Sequence, residues 1–185
     1  MIDTRYQAYL VEHLHVHDVR HGERSLFAHL SGTHELLRDW GNPEAVCTAG
    51  LFHSVYGTVQ FWHQSLAIGQ RSTLRNLIGA EAEELVYAFC VAGRPKAFLA
   101  QADGTSEPVT IRDHHTGGTL ALSRAALSRL LEIEAANLIE QNSDAPLALG
   151  QLRKAPISAA ARAAVGHRLL QLVNAHAADR QRARS

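Results

Sequence analysis

The stretch RSLFAHLSGTHELLRDWGNPEAVCTAGLFHSVYGT, residues 24–58, constrains the fold more than any other part of the chain. Its apolar residues recur at helical spacing, so it reads as two helices joined by a short turn. On the first, Leu26, Leu30, Thr33, Leu37 and Trp40 share a side, and His29 projects inward beside Thr33, Leu36 and Trp40. The second opens at Asn42-Pro43-Glu44. Asn42 suits an N-cap, Pro43 the first helical position and Glu44 the positive end of the helix dipole. Val46, Ala49, Gly50 and His53 then fall on one face, with Ala49 and Gly50 small enough to let another helix come close. One inward histidine is more often a core residue than a ligand. Two of them on adjacent, closely packed helices leave a metal site and a core pair both open.

At 185 residues the chain is long enough for a single domain, 1–185, with a proper core. Lys and Arg total 18, as do Asp and Glu, so there is no net basic field of the kind that nucleic acid partners need. No apolar run approaches the roughly 20 residues of a membrane span. The N-terminus MIDTRYQAYLVEHL lacks the layout of a signal peptide, and Cys47 and Cys90 read as buried thiols, which together predict a cytoplasmic protein. The basic tail RQRARS reads as a frayed terminus. Twelve histidines are the compositional anomaly. Four fall early, His13, His15, His17 and His21, either as surface and pocket residues or with a part in metal or phosphate binding.

Along the chain, residues 3–15 read as an amphipathic helix through Tyr6, Leu10 and Leu14, and His17 to Glu23 as a polar connection. VQFWHQSLAIGQR is a loop or short helix whose Phe61 and Trp62 either cover the core, the preferred reading, or line a pocket together with His63. Ser72 is a fair N-cap for TLRNLI, Gly79 breaks the run, and AEAEELVYAFCVAG resumes it. KAFLAQ, VTIRD and TLALS read as short strands, giving a β-hairpin insert near residues 96–122 with Asp113, His114 and His115 at an HHTGG turn. Ser123 caps a long helix whose stripe Leu127, Leu130, Leu131, Glu134 and Leu138 places the carboxylate of Glu134 on the core face. Burying it unpaired would cost several kcal/mol, so either a metal or a buried cation stands beside it, or Glu134 lies at an edge and reaches water. Glu132 and Glu140 look solvated. QNSDAPLALGQLRKAP reads as a linker, and Pro156 opens a final helix, 156–180, free to pack on the body or to serve a homodimer.

His29, a short turn and, 24 residues on, an apolar helix ending AGLFHSVYGT together resemble the HD-domain superfamily, all-α metalloproteins that include phosphohydrolases and a smaller branch of iron oxygenases. AHLSGTHELLRDWG resembles the helix of the first metal histidine. STLRNLIGAEAEELVYAFCVAG is similar to the segment after the motif in the RelA/SpoT-type (p)ppGpp hydrolases. The likeness covers roughly residues 20–141 and extends to an uncharacterised family carrying HSVYGT. It implies a mainly α, HD-domain-like bundle. It also implies metal ligands at His29 and His53, and a late carboxylate for which Glu134, shortly before Asn137, is the nearest match. In the hydrolase branch an arginine loop before the first histidine contacts substrate, and Arg20 and Arg24 hold the nearest places. Where that superfamily has Asp, this chain has Ser54, and Gly57 and Thr58 stand where the hydrolases carry an acidic pair.

The expected site is therefore His29, His53 and Glu134 around a divalent iron, manganese or zinc ion, with Ser54, His34 and Arg24 as candidate catalytic residues. His34 lies about 100° or more round the helix from His29, toward a pocket mouth. Two imidazoles and a carboxylate suit such metals. The expected activity is hydrolysis of a small phosphate ester or nucleotide-like substrate. The alternatives are a mononuclear iron oxygenase acting on a small organic molecule, and a binding protein that kept the fold without the chemistry.

Overall fold

The computed structural model describes residues 1–182, and the last three residues of the basic tail lie outside them. Among the described residues the chain is mainly helical, with two small antiparallel hairpins. Helix α1 (Thr4–Ala8) runs on as a π-helical turn, Tyr9–His13, that buries Leu10. The stretch 17–23, expected as a plain connection, instead leads into a hairpin over residues 20–25. Strand β1 (Arg20–His21) pairs with β2 (Arg24–Ser25) around Gly22, whose φ of 63° is the left-handed value such a turn needs.

Helix α2 (Leu26–Asp39) starts where the Ser25 hydroxyl accepts from the Ala28 amide at 3.2 Å, and α3 (Glu44–Phe52) follows after Gly41. Asn42 does not cap α3. Its side-chain amide donates backward to the Leu37 carbonyl at 3.2 Å and to Glu132, closing the end of α2 instead. Helices α4 (Arg71–Ile78) and α5 (Ala80–Val91) flank Gly79, as the sequence suggests, although α4 begins at Arg71 with Ser72 inside it. KAFLAQ is no strand: Lys96–Leu99 form a short helix, α6, that buries Phe98. The hairpin of β3 (Val109–Arg112) and β4 (Thr119–Leu122) is present and pairs Val109 with Leu122. Its turn is shaped by Asp113, whose carboxylate accepts from the His115 and Thr116 amides. Ser123 caps the long α7 (Arg124–Glu140), accepting from the Ala126 amide at 3.0 Å. The passage read as a linker holds α8 (Pro146–Leu152), with Pro146 in its first turn and Leu149 and Leu152 buried. Helix α9 (Ala159–Arg182) begins just after Ser158. Among the described residues no helix is long and apolar enough to cross a membrane.

Helix α2 packs on α3 and α7, and α3 packs on α5 and α7, so three helices meet around the α2–α3 contact. Gly50 makes that contact close. A Cβ placed on it would overlap Leu37 Cδ1, which is fully buried. Gly50→Ala is therefore expected to cost about 1–3 kcal/mol through overpacking, read as a lower urea midpoint. An unchanged midpoint would show that Leu37 simply turns aside. Trp62, expected to cover the core, is 88% exposed, because the loop that carries it bends outward while Phe61 packs inward.

Candidate metal centre

The facing helices bring His29 and His53 together. Both are fully buried, with ring centroids 4.9 Å apart and nearly perpendicular, and their Nε2 atoms lie 3.1 Å from each other. The other nitrogen of each ring decides what that means. His53 Nδ1 lies 2.7 Å from the Gly50 carbonyl, which can only accept, so the ring proton sits there. His29 Nδ1 meets a carboxylate oxygen of Glu140, whose other oxygen pairs with Arg24 at 2.6 Å, so this nitrogen also donates. An imidazole protonated on Nδ1 has a bare lone pair on Nε2. Two bare pairs this close repel unless a cation, a proton or a metal ion, lies between them. Histidine ligands ordinarily hand their second N–H to a carboxylate or carbonyl in this way. Two nitrogens each about 2.0–2.1 Å from one ion stand roughly 2.9–3.4 Å apart. The pair fits a divalent metal in both respects.

Helix α7 supplies the third side. Glu134, Asn137 and Gln141 follow one stripe, and the Gln141 amide lies 3.0 Å from Asn137 Oδ1, 3.4 Å from His29 Nε2 and 3.0 Å from His21 Nε2. Glu134, the carboxylate expected as a ligand, is held by Arg94, whose Nη1 reaches both of its oxygens at 3.1 and 3.3 Å. A buried cation, one of the two partners expected for Glu134, thus stands beside it. Burial still pushes the Glu134 carboxyl up, against the pull of Arg94 and Asn137. Glu140, read as solvated, has a side chain only 5% exposed, because Arg24 and His29 draw it inward. It comes close to the backbone of α2 at Gly32, where a Cβ would lie 2.7 Å from Oε1. Glu132 is also buried, accepting from the backbone and hydroxyl of Ser158. Among the described residues, no group of three or more His, Cys, Asp or Glu side chains is placed so that it could hold a metal ion.

Ser54 sits directly after His53 with its hydroxyl buried and unpartnered. His34 turns toward α3, with Nδ1 3.0 Å from the Cys47 carbonyl and Nε2 buried without a partner. Its five-residue offset from His29, about 140° round a helix, explains why it faces away from the pair. Arg24 is half exposed and lines a cleft of about 720 Å³ with His21, Gly22, Glu23, Gln141 and Asn142. Arg71, in the segment that follows the second histidine, serves elsewhere, bound to Glu83 and stacked 3.7 Å over Tyr87. Sequence reading missed Arg94. Its guanidinium lies 4.3 Å over Phe89, whose ring meets His53 edge-on at 5.1 Å, and its Nε is buried without a partner.

Burial holds His53 well below the ordinary imidazole value, reinforced by His29 and Arg94 and opposed by the Gly50 carbonyl. His21 is pushed down to about 4, first by burial and then by His29. Folded, both rings refuse protons that the unfolded chain accepts near pH 6.5. Stability is thus kept above that pH and lost as the pH falls toward 4. The urea midpoint of metal-free protein is expected to be lower near pH 5 than near pH 7.5, with a shallower fall in His53→Gln. A flat profile would contradict it.

Residues 10–94 match the model of a family described as a domain of unknown function (DUF6817). The match takes in His21, His29, His53 and Arg94 and stops short of α7. No curated protein and no solved structure matches the chain significantly.

Proposed function

We propose that His29 and His53 hold a divalent iron, manganese or zinc ion in an HD-domain-like helical body, and that the protein hydrolyses a small phosphate ester or nucleotide-like substrate. The observation that carries this is the pair of Nε2 atoms 3.1 Å apart, each ring held by an acceptor at its Nδ1. When bound, the metal would polarise a phosphoryl oxygen and acidify a water. The chain's own residues do the rest. Gly50 and Glu140 orient the two rings. Arg94, a buried cation with a spare N–H, and Arg24, at the cleft, attract and hold an anionic group. The Ser54 hydroxyl, buried and unpartnered beside His53, offers a hydrogen bond to substrate or water.

The test is phosphate release from a panel of phosphomonoesters and nucleotides by protein loaded with each metal in turn. Turnover by wild type, lost in both His29→Ala and His53→Ala, is expected. A folded, metal-loaded protein inert on the whole panel would overturn the hydrolase. A second reading, a metal-binding protein without hydrolytic chemistry, is favoured by Ser54 in place of a carboxylate and by the engagement of Glu134 with Arg94. Iron retained with oxygen uptake in place of phosphate release would favour the oxygenase.

A further inference from the structure

We propose that the cavity between the turn after α3, the end of α5 and the β3–β4 turn is a small-molecule site for a flat heteroaromatic ring of the nucleobase kind, stacked on Trp62 and hydrogen-bonded by His114 and His115. The site is separate from the metal centre and stands whether or not His29 and His53 hold an ion.

The cavity measures about 270 Å³, small for a ligand site, so it takes a ring system rather than a long chain. The 56–59 turn lines it, with Cys90 and Val91 of α5, the two hairpin histidines and Trp62. Each of these parts is fastened. The Tyr56 hydroxyl donates to the buried Glu83 at 3.0 Å. Gly57 has a φ of 74°, and a Cβ on it would lie 3.2 Å from the carbonyl oxygens of Trp62 and His63. The loop that carries Trp62 is therefore folded tightly against this turn. Thr58 closes it, because its amide donates to the Phe61 carbonyl at 2.7 Å and its hydroxyl accepts from the Phe61 amide at 2.9 Å. The hairpin is tied to α5 twice. The His114 amide donates to the Val91 carbonyl at 3.0 Å, and the Tyr87 hydroxyl to the Asp113 carboxylate at 2.6 Å. Gly93 leaves room for the His114 ring, since a Cβ there would lie 2.9 Å from its Nε2.

This rigid frame presents side chains that the fold itself does not use. Trp62 and Val59 are exposed at the cavity. Among the described residues, the Trp62 indole N–H and the ring nitrogens of His114 and His115 have no hydrogen-bond partner. An indole left in water offers apolar surface that a stacked ring would cover. A neutral imidazole offers one donor and one acceptor. A nucleobase-like ring has a π-face for the indole and both donors and acceptors on its edge for the imidazoles, whereas a hydrocarbon ring meets only the indole. No Lys, Arg, Asp or Glu lines the cavity, so it reads a ring and not a phosphate.

The experiment is calorimetric titration of the full chain with adenosine, guanosine, cytidine and uridine. At least one is expected to bind. Trp62→Ala is expected to weaken that binding by about 5–150-fold, the worth of one base–aromatic stack, while Trp62→Phe keeps most of it. Because Trp62 is exposed, neither change disturbs the core. His114→Ala is expected to cost about 2–10-fold, the worth of one hydrogen bond. His29→Gln, or treatment with a chelator if that variant misfolds, is expected to leave binding unchanged. Loss of binding there would place the ring at the metal centre and overturn this site. Wild-type protein that binds none of the four nucleosides, or undiminished binding in Trp62→Ala, would overturn it as well, and none of these results bears on metal binding by His29 and His53.

Discussion

Arg94→Met is expected to destabilise the fold by about 3 kcal/mol or more, and the double variant Arg94→Met/Glu134→Leu to recover most of that loss. Removing the guanidinium strands a carboxylate that is fully buried. Desolvation of that kind costs several kcal/mol unless the group takes up a proton, and Glu134 already leans that way. A carboxyl whose folded value is raised gains stability as the pH drops through that value. The single variant should therefore recover part of its deficit near pH 5, in contrast to the acid sensitivity expected of the wild type. Replacing both members of a buried pair by apolar residues is often neutral or stabilising. A stable double variant that no longer binds inorganic phosphate would separate what Arg94 does for the fold from what it does for a ligand. Full stability in Arg94→Met alone would show that the pair is not desolvated as described.

Glu140→Gln is expected to weaken metal binding by about 10–100-fold while leaving the helices intact. The carboxylate accepts the Nδ1 proton of His29 and anchors Arg24, so its charge fixes both the tautomer and the rotation of the ring. Glutamine keeps an oxygen but loses the charge and can present its NH2 face instead. Gly32→Ala reaches the same end differently, because its methyl group would push Oε1 aside. Both variants should shift a chelator-competition titration in the same direction. Wild-type affinity in both would remove Glu140 from the centre.

Much of the helix pair was legible in the sequence. The spacing of Leu26, Leu30, Thr33 and Leu37 gives α2 its buried face, and Ala49-Gly50 marks where α3 comes close. With both histidines on those faces, their meeting follows from the packing. Glu140 was not legible. It lies off the stripe running from Leu127 to Leu138, at the last residue of α7, and only partners far away in sequence draw it inward. Arg94 was hidden for the same reason. It follows α5 in an irregular segment, and its partner Glu134 lies 40 residues on. Short apolar runs misled in both directions: Lys96–Leu99 is too brief for periodicity to separate strand from helix, and the Pro and Gly of 146–152 gave a helix the composition of a linker. The unusual number of histidines was the one signal that pointed to His21, without saying which of the early four turns inward.

Elemental analysis of wild-type protein beside His29→Ala and His53→Ala, all purified alike and reconstituted with iron, manganese and zinc, tests the centre most directly. The two neighbouring Nε2 atoms, on rings held by Gly50 and Glu140, predict about one metal ion per chain in the wild type and loss of most of it in each variant. Wild-type protein that binds no metal after reconstitution, or variants that retain it fully, would contradict a metal centre at His29 and His53.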